Sequence, residues 1–483
     1  MSRNDRVKDS LPLWVLCLGF IAVAALWPLA HPAQAATHPN ILFILADNLG
    51  YGELGVYGGG ALRGAPTPHL DRLAGEGLRL TNMNMEPQCT PSRSSIMTGR
   101  FSIRSGTYAV AFGGVHDGLT QWEITIAEVL STAGYATALY GKWHLGSQDG
   151  RLPNDQGFDE WYGIPRTSDE VMWPASPQWS DKIAPPEQIM EGRKGEKSHA
   201  VRVYDEEQRR LIDAEITRRS VAFMERQTKA GKPFFVFAAL TQPHFPTLPN
   251  PAFTGRTGYG DWADMLAELD ANVGQMLNAV DRIGARDDTL VIFASDNGAE
   301  YLKPWDGWAG PWRGHYFTAL EGGLRVPFMI RWPGKVPAGR VSNEIVHGAD
   351  LFPTLARIAS AKVSKDRAVD GVDQSGLFFG ETDRSSREGF PIWVDDRLQA
   401  VKWRHWKMHF YRQETMVDPP AKMPVPAIYD LYTDPREEKG TLDLWVVYPM
   451  VKTVADFQGS LKRYPLIPMG TPDPYSPPVE PEK

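Results

Sequence analysis

Residues 40–52 read NILFILADNLGYG. The six apolar residues 41–46 are too short for an ordinary helix and show no alternation, so they predict a strand buried on both faces. Polar residues begin abruptly at Asp47-Asn48. Three further runs repeat the design: 135–140, 233–240 (PFFVFAAL) and 289–294 (TLVIFA). Lys142 and His144 follow the second run, His244 the third, and Asp296-Asn297 the fourth. Between them lie the amphipathic stretch 124–131 and a helical spacing of Leu266, Leu269, Val273, Met276, Leu277 and Val280, with Gly284 placed to cap it. The alternation predicts an α/β fold: a large, mostly parallel or mixed central sheet flanked by helices.

In open sheets of this kind ligands bind outside the carboxyl ends of the strands, so the four polar clusters are expected to share one cleft. Asp-Asn and Asn-Gly pairs are also common turn formers, and no single cluster decides the matter. Their equivalent positions do. From about residue 381 the texture changes to short strand-like segments, 391–394, 399–403, 406–411 and 428–432, which predict a smaller antiparallel sheet. The expected organisation is therefore an export signal over 1–35, an α/β catalytic domain over 36–380, and a small C-terminal subdomain with a Pro-rich tail over 381–483. The polar stretch 187–198 reads as a surface loop, and everything after Thr453 as an extended or frayed end.

The chain has 483 residues and a formal charge of −7, which leaves no basic footprint for phosphate neutralisation and argues against a nucleic-acid partner. Arg3, Arg6 and Lys8 precede an apolar run over 11–30 that ends in Ala33-Gln34-Ala35, the pattern of a signal cut after Ala35. The expectation is an exported protein, periplasmic or secreted, with no stable membrane span after cleavage. Cys17 leaves with the signal, and Cys89 remains as the single thiol of the mature chain. An exported lone thiol can neither pair internally nor rely on a reducing compartment, so it calls for an explanation.

The explanation lies in its neighbours. Cys89-Thr90-Pro91-Ser92-Arg93, followed by Thr98-Gly99-Arg100, resembles the signature of the type I sulfatases, the arylsulfatase-like, formylglycine-dependent branch of the alkaline phosphatase superfamily. The resemblance extends over roughly 39–373. Asp47-Asn48-Leu49-Gly50-Tyr51-Gly52 and Ser295-Asp296-Asn297-Gly298 look like its two metal motifs, Gly141-Lys142-Trp143-His144 like its lysine-histidine motif, and Thr241-Gln242-Pro243-His244 like its later histidine. Residues 321–327 and 350–354 match further landmarks, read as structural. The resemblance implies that a maturation enzyme oxidises Cys89 to formylglycine (3-oxoalanine), whose hydrate attacks sulfur. It also implies hydrolysis of an aryl or carbohydrate sulfate to alcohol and inorganic sulfate.

The chemistry can be stated from the residues themselves. A sulfate ester resists attack because the nucleophile meets negative charge and must expel an alkoxide, so the site needs a strong nucleophile, cations and an acid. Asp47, Asn48, Asp296 and Asn297 supply hard oxygen ligands suited to Ca²⁺, with Mg²⁺ the other candidate, beside Cys89 itself. By resemblance, Arg93 stabilises the hydrate and the metal shell, Lys142 binds sulfate, His144 serves as base for sulfate release, and His244 protonates the leaving oxygen.

Two departures stand out. The family usually has Asp-Asp where this chain has Asp47-Asn48, and usually places a lysine five residues before Glu-Gly-Gly, where this chain has Tyr316. His315 is the expected substitute cation. The aromatic clusters Trp161-Tyr162, Trp173 and Trp179, and Trp305, Trp308 and Trp312, are candidates to line the mouth. Competing readings are a phosphodiester or phosphonate monoester hydrolase of the same superfamily and a weakly active binder of sulfated glycans.

Overall fold

A computed structural model describes residues 38–110 and 116–477. The expected signal over 1–35, with Cys17, lies outside them. The run 41–46 becomes the strand Asn40–Asp47, buried from Ile41 onward. It is central because both neighbours are equally apolar: it pairs in parallel with Phe234–Pro243 on one side and Thr289–Ser295 on the other. Ala136–Lys142 and then Glu160–Ile164 extend the parallel core. Antiparallel strands flank it: Gln188–Arg193 and His199–Val203 at one edge, Phe328–Arg331 and Leu78–Leu80 at the other, with Arg340–Ser342 pairing in parallel with Leu78–Leu80 as the last strand. The main sheet is thus large and mixed, as expected, and has ten strands.

Helices cover both faces. Glu206–Lys229 and Asp261–Arg282 pack on the face formed by Leu42, Ile44 and Val236, while the opposite face, with Phe43 and Phe237, packs against Ile126–Thr132 and Leu351–Ile358. Asp261–Arg282 carries the predicted apolar spacing, and Gly284 follows it at φ +72, its N–H closing the end on Asp281 O at 3.1 Å. A separate four-stranded antiparallel sheet comprises Gly389–Val394, Arg397–Trp403, Trp406–Arg412 and Ala421–Asp430, in sequence order. The described residues fall in one compact unit, and among them no helix is long and apolar enough to cross a membrane.

Three expectations are corrected. The stretch 187–198 is an edge hairpin: Gln188–Arg193 turns into His199–Val203, whose side chains are all exposed. A solvent-facing edge carries polar residues on both faces, which hides its period. The tail is not frayed after Thr453, since Val447–Ser460 is helical and residues beyond it are tied down. Buried Arg151 needs acceptors and takes them there, Nε pairing with Asp473 Oδ2 at 2.8 Å and Nη2 donating to Thr471 O at 2.5 Å. Trp161 and Tyr162 lie within a parallel strand and are buried in the two cores, so they do not line a mouth.

Candidate active site

Cys89 opens the helix Cys89–Thr98, and Arg93 sits one turn later on the same face. Pro91 is tolerated there because first-turn N–H groups have no intrahelical acceptor. The helix is fixed to the loop after strand Ala136–Lys142 by two bonds: Thr90 Oγ1 donates to His144 O at 2.9 Å, and Arg93 Nη1 to Lys142 O at 2.6 Å. His144 is buried and held at φ +58, a conformation that bulky residues rarely adopt and that clusters at functional sites.

Around the thiol the four strand ends do converge. Cys89 Sγ lies 3.6 Å from both Asp47 Oδ1 and Asn48 Oδ1. Lys142 Nζ donates to Asp47 Oδ2 at 2.7 Å. Arg93 Nε donates to Asp296 Oδ2 at 3.0 Å, and its Nη2 is 3.5 Å from Asp47 Oδ2. Asp296 Oδ1 accepts the Asn48 backbone N–H at 3.1 Å, and Asn297 Nδ2 donates to Asn48 Oδ1 at 2.7 Å. One ligand atom each from Asp47, Cys89 and His244 lie within 4.8 Å of one another. His244 Nδ1 faces Phe245 O at 2.6 Å, which leaves Nε2 toward Thr167 Oγ1 at 3.4 Å.

Burial and charge oppose each other here. Burial alone would raise the Asp47 carboxyl, but Lys142, His244 and Arg93 outweigh it and hold it well below the ordinary range. Asp296 goes the other way, raised by burial and by the neighbouring Asp47 charge. The Cys89 thiol is pushed well up, first by burial, so as a free thiol it is a poor nucleophile.

The donor set fits a hard divalent cation. Asp47, Asn48 and Asp296 present oxygens beside Asn297, whose Oδ1 is buried with no hydrogen-bond partner among the described residues. A buried amide oxygen left bare is costly unless a ligand completes it.

His315 departs from expectation. Its ring stacks on Tyr301 with centroids 3.8 Å apart, and its Nδ1 is bonded to Tyr316 O at 2.8 Å. Burial lowers its pKa, so the ring is neutral where a substitute cation would have to be charged. Tyr316 is the residue turned toward the site. Glu300, Cys89 and Asp169 are near enough to influence the ionisation of its hydroxyl, which burial pushes up. Of the remaining candidate mouth aromatics, Trp305 stacks on Phe245, which stacks on His244, whereas Trp312 packs on Tyr51 and under Arg325.

Sequence reasoning missed three participants. Thr167 lies 3.4 Å from Lys142 Nζ and donates to Asp169 Oδ1 at 2.6 Å. It follows the end of strand Glu160–Ile164, so the strand-end rule would have found it had Trp161-Tyr162 been read as a strand. Glu300 accepts from Asn48 Nδ2 at 2.8 Å. Gln88, next to the thiol, donates to Asp395 Oδ1 at 2.8 Å, which brings a turn of the C-terminal sheet beside the site.

Comparison with known proteins follows the same lines. The family model described as Sulfatase matches residues 39–361. Arylsulfatase A of Bos taurus is 36% identical over 463 residues, covering 89% of this chain and 87% of that protein. Steryl-sulfatase of Mus musculus is 35% identical over 457 residues, covering 79% and 73%. The crystal structure of PsFucS1 sulfatase from Pseudoalteromonas sp. superposes with a TM-score of 0.85 at 32% identity, over 90% of this chain and 93% of that one.

Proposed function

The chain belongs to the sulfatase family, a sulfuric ester hydrolase by descent, and from that premise we propose that it cleaves an aryl or carbohydrate sulfate to alcohol and inorganic sulfate at Cys89. The observation that carries the reading is the placement of this single described cysteine: buried, at a helix start, 3.6 Å from two candidate metal ligands and flanked by Lys142 and Arg93. Converted to formylglycine by a maturation enzyme, position 89 would supply the hydrated aldehyde nucleophile that a buried, protonated thiol cannot.

The chain's own residues then divide the work. Asp47, Asn48, Asp296 and Asn297 would hold the cation, Ca²⁺ by the hardness of four oxygens, with Mg²⁺ the smaller alternative. The cation would supply positive charge toward the sulfate oxygens. Arg93 and Lys142 add two fixed cations, each kept charged by Asp47 and Asp296 against the effect of burial. His244 Nδ1–H donates to Phe245 O, which leaves Nε2, beside Thr167 Oγ1, as the ring nitrogen that would hand a proton to the leaving oxygen. His144, pinned through its backbone O to the helix Cys89–Thr98, would by the family resemblance take a proton when sulfate departs.

We further assign 1–35 as a cleaved signal for a periplasmic or secreted enzyme, 36–380 as the catalytic domain and 381–483 as a subdomain. Turnover of a chromogenic aryl sulfate tests the functional reading. Activity that disappears in Cys89→Ala is expected; a parent that cleaves phosphate diesters but no sulfate ester contradicts it.

A further inference from the structure

The segment bearing Lys142 and His144 continues past its site residues. It turns outward at Gly146, held at φ +122, and comes back at Arg151, where the Trp143 indole N–H closes the loop on Arg151 O at 2.8 Å. Arg151 is itself buried, and its guanidinium reaches two other parts of the chain. Nη1 donates to Asp117 O at 2.8 Å, while Nε donates to Asp473 Oδ2 at 2.8 Å and Nη2 to Thr471 O at 2.5 Å. Asp473, 322 residues along the chain from Arg151, also joins those two parts, because its other oxygen, Oδ1, accepts the Gln121 N–H at 3.0 Å.

What this carboxylate encloses is strained. His144 sits at φ +58, and a bulky residue keeps that conformation only where its surroundings over-determine it. On one side Pro165 O accepts the His144 N–H at 3.0 Å; on the other, Leu145 O accepts the Leu119 N–H at 2.9 Å and the Ser147 N–H reaches Asp117 Oδ1 at 3.3 Å. Residues 117–121 therefore wall the loop, and Asp473, with Arg151 Nη1 on Asp117 O, fastens that wall to the loop's return. Without Asp473 a buried guanidinium loses its charge partner and gains by turning toward water, which draws Arg151 O away from the indole of Trp143, the residue before His144. Lys142 has support of its own, since its carbonyl accepts Arg93 Nη1 at 2.6 Å, so the effect falls on the residues after it.

We propose that Asp473 is a positioning residue for His144: through Arg151 and the Trp143 indole it holds the loop 143–151 closed and so fixes the His144 backbone against the helix Cys89–Thr98. It touches no reacting atom. What His144 does is taken from the functional reading above; where it is held follows from the hydrogen bonds.

Hydrogen exchange and steady-state kinetics of Asp473→Ala in the full chain, at a temperature where it is folded, test this together. Peptides covering 143–152 should exchange at least about tenfold faster than in the parent, while the helix Asp261–Arg282 keeps the parental rate. On a chromogenic aryl sulfate kcat should fall by at least about tenfold with KM within about threefold. A merely structural role would lower Tm and leave the folded enzyme with the parental kcat; that result overturns the proposal, as does a fall in kcat without faster exchange over 143–152, or exchange that rises equally over 261–282. Should Asp473→Ala not fold, Asp473→Asn, which keeps one oxygen acceptor of the two, takes its place: faster exchange confined to 143–152 with a lower kcat supports the role, and parental values of both overturn it. If the parent cleaves no sulfate ester, the functional reading fails and exchange alone decides, a rise confined to 143–152 supporting the positioning role and a parental rate overturning it.

Discussion

Two regions of this molecule bury several charges, and they do so differently. In the seam between the main and C-terminal sheets, Lys402 Nζ donates to Asn82 Oδ1, Asn84 Oδ1 and Glu321 Oε2 at 2.9, 2.8 and 2.6 Å, so all three of its protons are used. Lys407 bridges Glu321 at 3.1 Å and Glu437 at 3.0 Å, His409 closes on Glu437 at 2.7 Å, and Arg325 pairs with Glu321. Burial alone would raise the Glu321 carboxyl, but Lys402, Lys407 and Arg325 hold it far below its usual range. Around Cys89 the charges are as deeply buried, yet Asn297 Oδ1 is bare and Asp47 and Asn48 point oxygens at the thiol. A saturated cluster is structural; one left open on one side awaits a ligand. Burial and charge alone do not separate the two, but the hydrogen-bond inventory does.

The sharpest way to break the contrast is to remove one partner from each region. Lys402→Met leaves Glu321 short of a cation and should cost roughly 3–5 kcal/mol of stability, read as a large drop in Tm, while kcat per folded molecule stays within about twofold. Asn297→Ala should do the reverse. Removing an amide whose Oδ1 is bare but whose Nδ2 serves Asn48 Oδ1 and Gly298 O should change chelated stability by about 1–3 kcal/mol, while turnover should fall by about 10²-fold or more if the proposed cation shell loses a ligand. Equal losses of stability in the two variants would erase the distinction.

A weaker perturbation acts on the parent enzyme. With Asn48 in place of a second aspartate, the proposed cation shell would carry one carboxylate fewer, so prolonged chelation should remove activity and Ca²⁺ should restore it. Unchanged turnover after elemental analysis finds no bound metal would exclude the assignment.

These regions were unequally legible in the sequence. The strand ends Asp47-Asn48, Lys142, His244 and Asp296-Asn297 were readable because fully buried parallel strands are continuous apolar runs, and their carboxyl ends must meet along one edge. The edge hairpin over 188–203 was not, because exposed strands lose their period. Glu300 acts through Asn48, 252 residues away in sequence, and no local pattern marks it, whereas Thr167, paired with His244 at a separation of 77, follows a strand whose aromatic run was not read as one. His315 was misjudged because adjacency in sequence to Tyr316 says nothing about which ring turns inward.

A pH-dependent effect concerns Glu86, whose side chain sits beneath the helix Cys89–Thr98 and accepts from Ser95 Oγ at 3.0 Å. Burial raises its pKa to about 7. A raised carboxyl binds its proton more tightly folded than unfolded, so its contribution is fully present below the unfolded value, near 4.5, and is lost as pH rises through 7. Glu86→Gln should therefore flatten the fall of Tm between pH 5 and pH 8, by at most about 1.4 kcal/mol per pH unit.

The central claim is that position 89 supplies the nucleophile as an aldehyde. Peptide mass spectrometry of the Cys89 peptide from purified, active enzyme tests it most directly, with samples matured to different extents assayed on the same aryl sulfate. The expected result is formylglycine in place of the thiol, in a fraction that rises in proportion to specific activity. Full activity from protein in which Cys89 is wholly an unmodified thiol would contradict it.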